Sequence, residues 1–187
     1  MTGEALNLLI KKAQKGDLRA FEQLTEQYHT KIYNIALGMM SNPHDAEDAA
    51  QNVLIKIYRA IGDFKFQSKF STWVYRITVN VCTDELRKRN RTSAVSSDEL
   101  AEDALGVDYV TPESHALTSE AVSDLKTAIS RLKDDHKKMI VLRDINGFSY
   151  EEIARITKCS VGTVKSRISR ARGALKDILI STGYFQR

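Results

Sequence analysis

From Thr92 to Leu125 the chain has no Lys or Arg, yet it carries Asp98, Glu99, Glu102, Asp103, Asp108, Glu113, Glu120 and Asp124. Basic residues crowd both flanks, with Arg87, Lys88, Arg89 and Arg91 before the gap and Lys126, Arg131 and Lys133 after it. A polar, acidic stretch of this kind lacks the apolar side chains needed to build a core. It is also long for a loop inside one compact domain. It therefore divides the 187 residues into two modules, and the net charge of +4 conceals a basic, acidic, basic order along the chain.

On both sides of the gap the apolar residues recur at helical spacing, and the two prolines, Pro43 and Pro112, sit where that periodicity breaks. The pattern predicts helices near 4–14, 18–39, 44–61 and 71–90 in the first module, and near 120–132 and 134–145 in the second, followed by a helical pair. The expected fold is all-α, with two small helical domains, 1–92 and 120–187, joined by a flexible acidic linker over 93–119. Cys82 and Cys159 lie far apart with no CxxC and no His at ligand spacing, which argues against zinc and against a disulfide framework. No segment approaches the roughly 20 apolar residues of a membrane helix, and the N-terminus has no apolar run. A cytoplasmic protein with no membrane insertion and no cofactor is expected.

Ser149 to Leu175, SYEEIARITKCSVGTVKSRISRARGAL, carries the strongest local signal. Ser149 followed by Glu152 has the form of a capping box. Ile153, Ala154 and Ile156 supply an inward face, and Ala154 is small enough for a second helix to cross close by. Ser160 can cap that second helix, where Val164, Ile168, Ala171 and Leu175 recur at helical spacing. The other side shows Thr163, Lys165, Ser166, Arg167, Arg170 and Arg172. A buried stripe with donors opposite is the anatomy of a DNA-reading helix-turn-helix. The bland alternative is a helical pair with a solvated basic face. Against it, no acid lies between Gly162 and Gly173 to pair the four cations. Lys158 occupies the turn where Gly is common.

The first module has a different signature. Phe64 to Arg76, FKFQSKFSTWVYR, sets Phe64, Phe66, Phe70, Trp73 and Tyr75 among Lys65, Lys69 and Arg76. Rings that stack on bases beside cations that hold the backbone suit single-stranded nucleic acid. Core packing is the competing account: it or a mixed role is favoured for Phe70 and Trp73, whereas exposure is expected for Phe64 and Phe66. In the next helix Arg76, Asn80, Asp84 and Arg87 share one face, and an amide such as Asn80 can read base edges. Arg87, Lys88, Arg89 and Arg91 cluster at its end, where the helix dipole also favours cations. Asp45, Glu47, Asp48 and Gln51 open the preceding helix; they complement its dipole, and an exposed acidic and amide patch also suits a basic protein surface. A metal site would need further ligands that the sequence does not offer.

Taken together, DAEDAAQNVLIKIY, F-x5-FSTWVYRITVN, DELRKRNR and GFSYEEIARITKCSVGTVKSRISRARGAL resemble, in order and over nearly the whole chain, an extracytoplasmic-function sigma factor of bacterial RNA polymerase. Lys133 departs from the proline usual after Leu132. The resemblance implies a transcription initiation factor that binds core RNA polymerase and promoter DNA without catalysis. It assigns the minus-ten element and its melting to Phe64, Lys65, Phe66, Lys69, Trp73, Arg76, Asn80, Arg87 and Lys88. It assigns the minus-thirty-five element to Ser160, Thr163, Lys165, Ser166, Arg167, Arg170 and Arg172. Polymerase binding falls to Asp45, Glu47, Asp48 and Gln51, the acidic linker is expected to thread toward the RNA path, and an anti-sigma factor is an expected partner. Of two rivals, a helix-turn-helix regulator that binds an operator alone leaves the aromatic and cationic loop unexplained, and a metal enzyme using the Asp45–Asp48 acids has no nucleophile–base constellation to support it.

Overall fold

A computed structural model describes residues 3–95 and 119–182, and among these every regular element is helical. The core of the expected linker, 96–118, lies outside the described residues. The first domain comprises α1 (Gly3–Gln14), α2 (Leu18–Met40), α3 (Pro43–Ala60) and α4 (Phe70–Val95), with a 3-10 turn at Ile61–Asp63. The second comprises α5 (Ser119–Ser130), α6 (Asp134–Ile140), α7 (Tyr150–Thr157) and α8 (Val161–Ser181). Between α6 and α7 the backbone loosens into a π-turn over Val141–Ile145. Helix α4 runs on to Val95, beyond the predicted start of the linker at 93.

Local chemistry sets the helix ends. Asp17 caps α2 by accepting from the Ala20 amide at 3.0 Å. Ser41 then leaves α2 in the left-handed region at φ 62°, and Asn42 caps α3 by accepting from the His44 amide at 2.8 Å. Pro43 follows at the first turn, where a missing N–H costs nothing. The Ser-Asn-Pro triplet thus closes one helix and opens the next within three residues.

Two apolar clusters hold the molecule. One lies inside the first domain and joins Ile10, Leu24, Ile32, Val53 and Ile57 to Phe64, Phe70 and Trp73. The other crosses between domains: Ile35, Met39, Val79, Cys82 and Leu86 of α2 and α4 pack with Met139, Val141, Leu142, Phe148 and Ile156. Gly38 makes this approach possible, because a Cβ there would stand 2.8 Å from a methyl of Val141. Around it, Lys31 donates to the Asn146 carbonyl at 2.6 Å and stands 4.9 Å over the Phe148 ring, and Tyr75 meets that ring edge-on at 5.1 Å. The fold class is all-α, as the periodicity requires, and the two domains are packed against each other through a shared core.

Candidate nucleic-acid interface

The helix-turn-helix is built from its caps inward. The Ser149 hydroxyl accepts from the Glu152 amide at 3.2 Å and the Glu152 carboxylate accepts from the Ser149 amide at 2.8 Å, closing the capping box. Lys158 ends α7 at φ 54°, the left-handed turn that Gly often fills. The Ser160 hydroxyl caps α8 from the Thr163 amide at 3.1 Å. Ile153, Ala154, Ile156, Val164, Ile168 and Ala171 are buried as the spacing requires.

On the outer side of α8, Lys165, Ser166, Arg170 and Arg172 are exposed, and Thr163 and Arg167 are half-buried. Several are already engaged. The hydroxyls of Ser160 and Thr163 lie 2.8 Å apart, and the Ser166 hydroxyl donates to the Thr163 carbonyl at 2.9 Å. Arg167 reaches the Cys159 sulfur at 3.4 Å. Arg172 corrects the sequence reading that these cations lack acidic partners, because Asp144 on the π-turn accepts from its Nε at 3.3 Å and from a second guanidinium nitrogen. The partner is distant in sequence and escapes any local search. Lys165, whose ammonium stands 6.0 Å over the Tyr150 ring, and Arg170 are the exposed cations of this side not drawn to an acid among the described residues.

The aromatic loop departs further from expectation. Phe64, predicted exposed, is 5% exposed. Its ring packs 5.0 Å from Phe66, 5.2 Å from Phe70 and 5.4 Å from Trp73, while the Gln14 amide donates to its carbonyl at 2.9 Å. The same amide donates to Ile61 at 3.0 Å, so α1 fixes the loop in a position that turns Phe64 inward. Phe70 and Trp73 are buried in the same cluster. Phe66, in the left-handed region at φ 56° and 40% exposed, is the ring presented outward. Lys65 and Lys69 flank it, both exposed.

On α4, Val74 and Val81 are buried, while Asn80 and Arg87 are exposed and Arg76 is half-buried. These three polar residues line a cleft of about 460 Å3 that Lys138, Lys158 and Arg167 of the second domain also line, with Asp84 the one acid. The polar face of α4 and the turn of the helix-turn-helix therefore look across at each other. Lys158 and Lys138 belong to this cationic cleft and were absent from the sequence prediction; the exposed basic residue at the turn was the available signal for Lys158. Lys88 is not brought to the cleft. It lines a separate groove with Asp45, Asp48 and Glu85, one helical step round from Arg87.

The acidic patch is likewise split. Asp45 is half-buried and bound to Arg89 at 2.6 Å, tying α3 to α4. Asp48 meets the His44 imidazole at 3.5 Å. Glu47, Asp48 and Gln51 are exposed. Among the described residues no three His, Cys, Asp or Glu side chains gather as a metal-holding group, and no helix is long and apolar enough to cross a membrane. Burial pushes the Cys82 thiol up to about 12, so it behaves as core.

Comparison with known proteins places the chain in a family. Residues 24–92 match the model of sigma-70 region 2 and residues 123–175 that of sigma-70 region 4. The RNA polymerase sigma-H factor of Pseudomonas aeruginosa is 38% identical over 96% of both chains. The ECF RNA polymerase sigma factor SigW of Bacillus subtilis is 36% identical over 89% of this chain and 92% of its own length. Among solved structures, the sigma factor RpoE of Bartonella quintana, in complex with the anti-sigma factor NepR, superposes with a TM-score of 0.66 at 30% identity, covering 85% of this chain and 96% of that one. The chain belongs to the extracytoplasmic-function sigma factors of the sigma-70 family, the alternative factors of transcription initiation.

Proposed function

We propose that α8 engages the upstream promoter element in the major groove while the loop and polar face of α4 engage and open the downstream element, within a complex with core RNA polymerase. The protein acts by binding, without catalysis, in the cytoplasm where the polymerase works. The observation that carries this reading is the pairing of two differently built surfaces. One is a capped helix with Lys165 and Arg170 exposed on its outer side, suited to duplex DNA. The other is an exposed ring, Phe66, flanked in sequence by the exposed Lys65 and Lys69, suited to an unstacked base. Phe64 and Trp73 serve this surface as its scaffold. Glu47, Asp48 and Gln51 offer the polymerase an open acidic and amide face.

The domains proposed to act separately are 1–92 and 120–187, with 93–119 between them. In the packed arrangement Arg167 and Lys158 face α4 across a cleft of about 460 Å3, so a duplex with a major groove ~12 Å wide has no room there. Arg167 and Asn80, which line that cleft, can therefore engage DNA only when the domains part. An anti-sigma factor, the kind of partner bound in the Bartonella structure, would act by occupying the polymerase-binding surfaces.

The test is promoter opening with core polymerase and purified protein. Phe66→Ala and Asn80→Ala should abolish permanganate-reactive thymines while polymerase still co-elutes with the variant on gel filtration. Normal opening by both variants would defeat this assignment. Lys165→Ala and Arg170→Ala should weaken upstream binding before any opening is measured.

A further inference from the structure

A groove of about 510 Å3 lies between the end of α2, the C-terminal part of α4 and the turn from α5 into α6. That is within the roughly 300–1,000 Å3 range of small-molecule sites. Cations reach it from both domains, Arg89 from the first and Arg131, Lys133 and Lys137 from the second, against the single acid Asp134. The acids near it are already occupied, because Asp134 accepts from the Asn90 amide at 3.3 Å and Asp45 holds Arg89.

Lys137 is the member that a solvated rim does not explain. It is only 6% exposed, and its ammonium has no hydrogen bond or ion pair with any described residue. No fully enclosed side-chain nitrogen or oxygen lacks a partner among the described residues, so the ammonium is the part of Lys137 that reaches the groove. Burial is the main force pulling its pKa below the ordinary lysine value; Asp134 opposes this and the charge of Arg89 adds to it. Desolvation makes a buried ammonium costly to keep charged, and an anion in the groove would reverse that cost, with Arg89 adding the guanidinium donors that Asp45 does not take.

We propose that this groove binds a small phosphorylated anion, gripped by Lys137 and Lys133 of the second domain and by Arg89 of the first. A phosphate group accepts several charge-assisted hydrogen bonds at once, which suits cations converging from different helices better than a single carboxylate does. Because the grip spans both domains, occupancy favours the packed arrangement over the parted one.

The test uses the full chain, without DNA or polymerase, titrated calorimetrically with pyrophosphate at constant ionic strength. One saturable site is expected. Lys137→Met, which keeps the apolar stem, should lose about tenfold or more in affinity. Lys133→Ala, on the exposed rim, should lose about threefold and decides the matter should Lys137→Met fail to fold. A nucleoside diphosphate binding more tightly than pyrophosphate would identify a nucleotide as the source, and equal affinity would identify the phosphate alone; either supports the site. Non-saturable binding, affinity unchanged in the folded variants, or binding of duplex DNA with none of pyrophosphate would overturn it.

Discussion

The aromatic loop and the recognition helix both interleave cations with non-polar residues, but they fold by opposite logic. In α8 the apolar residues sit underneath and the cations outside, because helical spacing puts Val164, Ile168 and Ala171 on one side and Lys165 and Arg170 on the other. In the loop no regular period sorts inside from outside. Sorting is done by contacts from elsewhere: Gln14 fastens the backbone and Phe70 and Trp73 close over Phe64. One ring of the pair, Phe66, is left outward. A functional surface on a regular helix is thus readable residue by residue, whereas one on an irregular loop depends on what packs behind it.

The sharpest way to break this comparison is to truncate the two neighbouring rings separately. Phe64→Ala should cost about 3–5 kcal/mol of stability as a core deletion and lower the urea midpoint strongly. Phe66→Ala should leave that midpoint nearly unchanged and lose promoter opening. Equal destabilisation by both would mean that the loop does not divide its rings between core and surface.

Next in size is Gly38→Val, which forces side-chain atoms against Val141 and should cost about 1–3 kcal/mol. The strain falls on the contact between domains. The isolated variant should therefore bind promoter DNA more tightly than the wild type by fluorescence anisotropy, even as its melting temperature drops. Weaker DNA binding in a folded variant would argue against the need for the domains to part.

A smaller effect separates caps from contacts in the second domain. Ser149→Ala removes half of the capping box and should cost about 0.5–2 kcal/mol by thermal unfolding. Lys165→Ala should leave unfolding unchanged but lower the slope of log affinity against log salt by about 1. Arg172→Ala should do least to DNA binding, because its guanidinium is held by Asp144; as an exposed pair it contributes only ~0–1 kcal/mol to stability.

The helix-turn-helix was legible in the sequence almost whole, down to the Ser149–Glu152 reciprocal cap and the Ser160 cap, because each depends on residues three positions apart. The partner of Arg172 was not legible, since Asp144 lies on a different element and meets it only through the π-turn. Lys88 shows how one step along a helix changes a residue's surroundings. It neighbours Arg87 in sequence, yet the helical step sends it to the groove beside Asp45 and Asp48 and away from Arg76 and Asn80. Asp45, grouped with Glu47 and Asp48 by proximity, is drawn to Arg89 and largely withdrawn from the exposed patch.

The residues alone settle the helical class, the caps of α7 and α8, and the side of α8 that faces outward. All of these follow from local periodicity and from capping atoms a few residues apart. Only the tertiary structure decided that Phe64 is buried while Phe66 is not, that α4 and the helix-turn-helix turn share a cationic cleft, and that Lys137 is buried beside Arg89. It also decided that Gly38 admits Val141 and lets one core cross both domains. The physical reason is the same in each case: burial and charge pairing are set by which surfaces meet, and the residues that meet here are tens of positions apart in the chain.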